Sequence, residues 1–158
     1  MNNQRYFPLF IDLTERKIVV VGGGKTGTRR VKALLPFTRN ITVIAPELTA
    51  DLRALAMAGH IQMVERPVKK SDFLDAFIVL AVTNDWKLND TICKICRDEG
   101  IYVNTSNDRE ESDFLFPGIC TQDDLVVGIS SGGRDHHRAR VLRAAVQKMM
   151  EQLPSYSE

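Results

Sequence analysis

The chain has 158 residues, 44% hydrophobic and 26% charged, and a formal net charge of +1. That is enough for about one domain with a real core and a small appendage. The near-neutral charge excludes a global field for nucleic acid or an acidic membrane surface, and no apolar run approaches a membrane span.

Residues 6–13, Tyr-Phe-Pro-Leu-Phe-Ile-Asp-Leu, are apolar with a proline and read as an edge segment. Ile18 to Val21 form a short β-branched run ending in glycine, the pattern of a strand buried on both faces. Gly22, Gly24 and Gly27 then fit G-x-G-x-x-G. In that pattern the first glycine turns tightly, the second admits a pyrophosphate, and the third packs the helix onto the sheet. The following helix aims its free N–H groups at the phosphates. A bare strand–helix turn uses glycines too, so the loop needs support from the rest of the chain. Gly-Lys-Thr at 24–26 suggests a phosphate loop of the nucleoside-triphosphatase type, but Val19 stands where that motif needs its first glycine.

The first helix runs from about Lys25 to Leu35, with Pro36 at its end. A strand over Ile41–Ile44 closes at Ala45-Pro46, and a helix from about Leu48 to Ala58 stops at Gly59. Strands over His60–Val64 and Phe77–Val82 flank a short capped turn at Ser71–Leu74. Thr83-Asn84-Asp85 form a polar corner, Asp85 caps a helix from Trp86 to about Glu99, and Ile101–Val103 is a fifth strand. Alternation of continuous apolar strands with helices predicts an α/β Rossmann domain with a parallel sheet. Its ligand belongs at the carboxyl ends of the strands, where the loops at 22–27, 45–47 and 83–85 converge.

Glu47 has two readings, a partner for the adenosine ribose or an acid favoured at a helix start. Lys25 likewise faces either the pyrophosphate or solvent. No arginine follows the second strand directly, which favours NAD over NADP. Cys93 and Cys96 form C-x-x-C inside a helical pattern without a second ligand pair, so they read as helix-face thiols, and no metal is expected. His136 and His137 are adjacent and read as a solvated helix start.

Beyond residue 104 the pattern changes. A polar run, Thr105 to Asp113, holds Asn107 and Asp108, where an acid near substrate could act as a base. Strands over Phe114–Cys120 and Leu125–Ser130 predict an antiparallel hairpin. Ser131-Gly132-Gly133 is a second glycine turn, and Asp135 caps a last helix to about Leu153 with Val141, Leu142, Ala145, Met149 and Met150 as its apolar face. A hairpin and one helix cannot bury a core alone, which points to docking on the first domain or on a second copy.

Pro8–Leu13, Lys17–Gly24, Val43–Glu47, Leu80–Asp85, Val103-Asn104, Phe114–Pro117 and Ile129–Gly133, taken in this order, resemble the precorrin-2 dehydrogenase family, the N-terminal module of siroheme synthase. The resemblance implies a Rossmann NAD-binding domain over 1–112 and a dimerisation segment over 113–158, truncated relative to the family. It implies NAD-dependent oxidation of precorrin-2, a tetrapyrrole, to sirohydrochlorin by a homodimer, with iron insertion in some members; the N-terminal residues, without a secretory apolar run, make the cytoplasm the expected location. It implies NAD contacts at Lys25, Thr26, Pro46 and Glu47, beside the motif glycines Gly22, Gly24 and Gly27 and the Thr83-Asn84 corner read above, and a tetrapyrrole pocket near Ser131, with Gly132 next to it. The family carries a catalytic aspartate at the position of Asn107, with Asp108 adjacent here, and Ser-Pro at the position of Asp135-His136. An amide cannot accept a proton, so either Asp108 substitutes or the chain is a non-catalytic NAD- or tetrapyrrole-binding Rossmann dimer. No nucleic acid and no membrane enter as partners.

Overall fold

The computed structural model describes residues 6–154, so residues 1–5 and 155–158, the outer ends of the two expected domains, lie outside it. Contacts divide the chain into one unit, Ile11–Phe114, and a second formed by the stretch from Leu115 together with the stretch up to Phe10.

The larger unit is a five-stranded sheet in the order β3-β2-β1-β4-β5. Its strands are β1 (Ile18–Val21), β2 (Ile41–Ile44), β3 (Gln62–Val64), β4 (Ile78–Ala81) and β5 (Tyr102–Thr105). All pairings are parallel. β1 lies at the centre, with Ile18 opposite both Ile41 and Ile78. All four residues of β1 and of β4 are buried, as continuous apolar runs require when helices cover both faces. The connecting helices are α1 (Lys25–Leu34), α2 (Ala50–Met57) and α3 (Trp86–Asp98). One core layer packs Ile92, Cys93 and Cys96 of α3 against Val19, Val21, Val79, Ala81 and Val103. The α/β Rossmann architecture read from the sequence is therefore the fold observed.

Local departures have local causes. Residues 6–13 join no strand, because Pro8 lacks an N–H and the Asp12 carboxylate instead accepts from Thr14 N–H at 2.9 Å. β3 starts two residues later than expected. His60 still closes α2, its N–H donating to Leu55 O at 2.9 Å behind Gly59 at φ +73°. The turn before β4 is a 3₁₀ segment, Lys70–Phe73, in which Asp72 accepts from Lys69 N–H (2.7 Å) and takes a bidentate Arg66 guanidinium at 2.7 and 2.8 Å. Arg66, and next its amide partner Lys69 against the cost of burial, holds the Asp72 carboxyl below the usual carboxylate range.

In the smaller unit, β6 (Gly118–Gln122) and β7 (Leu125–Ile129) form an antiparallel hairpin followed by α4 (His136–Met150). β6 begins four residues later than expected, because Pro117 brings no donor to a ladder. Asp123, at φ +51°, makes the two-residue turn. The helix face also differs from expectation. Ala139, Val146 and Met150 pack with Cys120, Val127 and Ile129. Val141, Leu142 and Met149 are exposed, since a two-stranded sheet covers only one stripe of a helix.

Candidate cofactor site

Three loops meet at the carboxyl edge of the larger unit's sheet. In the first, Gly22 has φ +127°, and a Cβ there would stand 2.6 Å from Val82 O. Its N–H donates to Ile44 O at 3.0 Å, so this one residue joins the ends of β1, β2 and β4. A Cβ on Gly27 would lie 2.1 Å from Gly22 O, the close helix–strand approach expected of the third motif glycine. Gly24 differs from both, with nothing within 4 Å of an added Cβ and an ordinary φ of −83°. Its glycine character serves the space above it rather than its own backbone.

That space faces the start of α1. Gly24 is the N-cap and brings no side-chain hydrogen bond, and the first turn holds no acid. By contrast, Thr49, Asp85 and Asp135 cap α2, α3 and α4 with side-chain oxygens. The N–H groups of Lys25 and Thr26 are thus left for an anion, and the helix dipole favours one. An open cradle at Gly24 beneath an uncapped helix start fits the pyrophosphate of a dinucleotide.

The second loop is locked to the first by residues the motif does not contain. Thr49 N–H donates to Gly23 O at 3.0 Å, and a Cβ on Gly23 would fall 2.1 Å from Glu47 O. The Thr28 hydroxyl meets the Thr49 hydroxyl at 2.7 Å and Gly24 O at 3.0 Å. The motif spacing singles out neither Gly23 nor Thr28; the unbroken run of three glycines, 22–24, is the available signal for Gly23. Pro46 and Glu47 are exposed at the end of β2. Beside them α1 and α2 enclose a cleft of about 460 Å³ lined by Lys25, Thr28, Arg29, Lys32, Thr49 and Asp51, where Lys32 pairs with Asp51 at 2.5 Å.

The third loop is built on Asn89, fully buried in α3 and also missed by sequence reasoning. Its Oδ1 accepts from Thr83 N–H (3.2 Å) and the Thr83 hydroxyl (2.7 Å), and its Nδ2 donates to Thr83 O (3.0 Å). The signal for it is an amide on the apolar face of Ile92, Cys93 and Cys96. Asn84 is exposed at the corner so formed. The same Nδ2 donates to Asn107 Oδ1 at 2.8 Å, which ties the run after β5 to this corner. Asn107 Nδ2 donates in turn to Trp86 O (2.9 Å) and Asp90 Oδ1 (3.0 Å). Asp108 Oδ1 accepts from Glu110 N–H at 2.9 Å, capping a 3₁₀ turn.

Cys93 and Cys96 are buried, and desolvation pushes both thiols up, Cys96 to about 12, which leaves neither a reactive thiolate. Among the described residues no group of three or more His, Cys, Asp or Glu is placed to hold a metal ion. None of their helices is long and apolar enough to cross a membrane. Ser131 and Gly132 belong to the smaller unit, where Ser131 Oγ accepts from Asp135 N–H at 3.2 Å and Gly132 has φ +64°. Ser131 also lines a cleft of about 490 Å³ with Ile129, Arg134, Arg138 and Leu142.

A family model described as "Putative NAD(P)-binding" matches residues 9–118, more than two thirds of the chain. A probable multifunctional siroheme biosynthesis protein HemA of Ruminiclostridium josui is 40% identical over 131 residues, covering 83% of this chain and 25% of that protein. The siroheme synthase of Actinobacillus succinogenes is 33% identical over 147 residues, covering 93% of this chain and 31% of that enzyme. The chain therefore spans a quarter to a third of the length of these curated relatives. Among solved structures, SirC, a precorrin-2 dehydrogenase, matches the fold with a TM-score of 0.81 at 24% identity, over 91% of this chain and 70% of that one. With the glycine loop, the uncapped helix start and the family match all falling on the same stretch, the chain belongs to the NAD(P)-binding family.

Proposed function

We propose that the chain is an NAD-dependent dehydrogenase module that oxidises precorrin-2 to sirohydrochlorin in siroheme biosynthesis. The observation that carries this reading is the open cradle at Gly24 under the uncapped start of α1, in a chain similar to siroheme synthase over 93% of its length. Gly24 and the N–H groups of Lys25 and Thr26 hold the pyrophosphate, and Pro46 and Glu47 border the adenosine. An acid at that position suits a free ribose hydroxyl and so supports NAD over NADP. Thr83 and Asn84 border the nicotinamide. The cofactor supplies the hydride acceptor; the chain binds and orients it.

Residues 1–112 bind the dinucleotide in this reading, and 113–158 carry self-association and, at Ser131 and Gly132, tetrapyrrole contacts. The exposed Val141, Leu142 and Met149 of α4 support a homodimer, because apolar side chains grouped on one helix favour burial against a second copy.

Purified protein given precorrin-2 and NAD should form NADH, read at 340 nm, with the absorption spectrum of sirohydrochlorin appearing in step. Binding of NADH and tetrapyrrole without turnover would replace this reading with that of a binding module.

A further inference from the structure

We propose that Asp90 on α3, oriented by Asn107, is the carboxylate that accepts the proton released in the oxidation. This rests on the dehydrogenase reading above. Oxidation of precorrin-2 by two electrons sends a hydride from a substrate carbon to NAD⁺, giving NADH, and frees one proton as the new double bond forms. A positioned carboxylate is the usual acceptor where no histidine is at hand.

The carboxylates around the Thr83 corner separate by what already holds them. Asp85 Oδ1 accepts from Leu88 N–H at 3.1 Å and caps α3. Asp108 Oδ1 accepts from Glu110 N–H at 2.9 Å, which turns it into its own loop. Asp113 Oδ2 accepts from Val103 N–H at 2.8 Å, on the flank of β5. Glu111 pairs with Arg97. Each is committed to backbone or to a cation. Among the described residues Asp90 is exposed and held by a side-chain amide alone, with Asn107 Nδ2 on its Oδ1 at 3.0 Å. That contact leaves the second oxygen for a proton.

Asn107 explains why the carboxylate stands still. Its Oδ1 accepts from Asn89 Nδ2 at 2.8 Å, and its Nδ2 faces two acceptors, Trp86 O at 2.9 Å and Asp90. Only an amide satisfies that set, since a carboxylate at 107 would set acceptor against acceptor. Asn89 is fully buried and grips Thr83 through three hydrogen bonds. A continuous chain, Thr83–Asn89–Asn107–Asp90, thus fixes the carboxylate against the corner that borders the nicotinamide. Asn107 is a positioning residue and Asp90 the catalytic one.

Asp90→Asn is the test, because it keeps an acceptor for Asn107 while removing the base. With NAD and precorrin-2, kcat should fall about 100-fold or more, the scale of a lost general base. The KM for precorrin-2 and the affinity for NADH, read by its fluorescence, should stay within about threefold of wild type, as expected when the loss is confined to the transition state. Asp90→Glu keeps a carboxylate beside an unchanged Asn107 and should retain at least about tenfold more kcat than Asp90→Asn. A kcat for Asp90→Asn within threefold of wild type overturns the assignment, as does a loss confined to KM or NADH affinity, or an Asp90→Glu variant no faster than Asp90→Asn. Wild type that binds NADH but forms none from precorrin-2 overturns the dehydrogenase reading itself, and the role of Asp90 with it.

Discussion

Gly23 and Gly24 are neighbours with opposite obligations. A side chain at 23 would meet Glu47 O at 2.1 Å, whereas a side chain at 24 would meet nothing of the protein within 4 Å. Gly23→Ala should therefore destabilise the fold by about 2 kcal/mol or more, through backbone displacement at the junction of two loops. Gly24→Ala should leave the melting temperature nearly unchanged and weaken NADH binding at least about tenfold, because its Cβ occupies the cradle. Thermal melts beside NADH titrations separate the two, and equal losses of stability would contradict the reading of Gly24. Gly22, Gly24 and Gly27 are legible in the sequence by their spacing alone. The constraint on Gly23 is not, since it comes from backbone more than twenty residues away. Asn89 is hidden for the same reason, as its partners lie in two loops that only the folded sheet brings to one place.

At the scale of elements, hydrophobic runs and caps locate every helix and strand of the larger unit to within a residue or two. Boundaries slip where proline or a side-chain oxygen competes for the backbone, as at residues 6–13 and before β6. The 3₁₀ turn ahead of β4 shows such a competitor acting as a brace. Asp72 takes Arg66 in bidentate geometry and Lys69 N–H together. Its folded pKa lies below the ordinary 3.8, so its contribution is present in full above the unfolded value and is lost as pH falls through the folded one. Asp72→Asn should cost about 1–2 kcal/mol near pH 7, and the gap from wild type should close as pH drops below about 4. Urea unfolding at pH 7 and pH 3 would show it, and a gap that widens in acid would contradict the assigned sign.

For the whole molecule, alternation of strand and helix predicts the parallel sheet, but not which stripe of α4 turns inward. The sequence groups Val141, Leu142, Ala145, Met149 and Met150 together, yet of these only Met150 is buried. An apolar helix carries more hydrophobic positions than one hairpin can cover, and the surplus is visible only once the inner stripe is known. If that surplus binds a second copy, Val141→Asp with Leu142→Asp should shift the protein from dimer to monomer in sedimentation velocity while leaving its circular dichroism intact. An unchanged sedimentation coefficient would remove α4 from the interface.

The central place of β1 sets a timetable for synthesis. This strand leaves the ribosome first, yet its two neighbours are residues 41–44 and 78–81. Until β4 emerges, one edge of a wholly apolar strand stays unpaired, a state prone to association with other chains. The glycine loop waits as well, because Gly22 is packed against Val82 O. The loop thus takes its shape only after residue 82 has been made, at the joining of the sheet's two halves. A dinucleotide bound there would stabilise that joining itself, so its supply would act on how much chain matures.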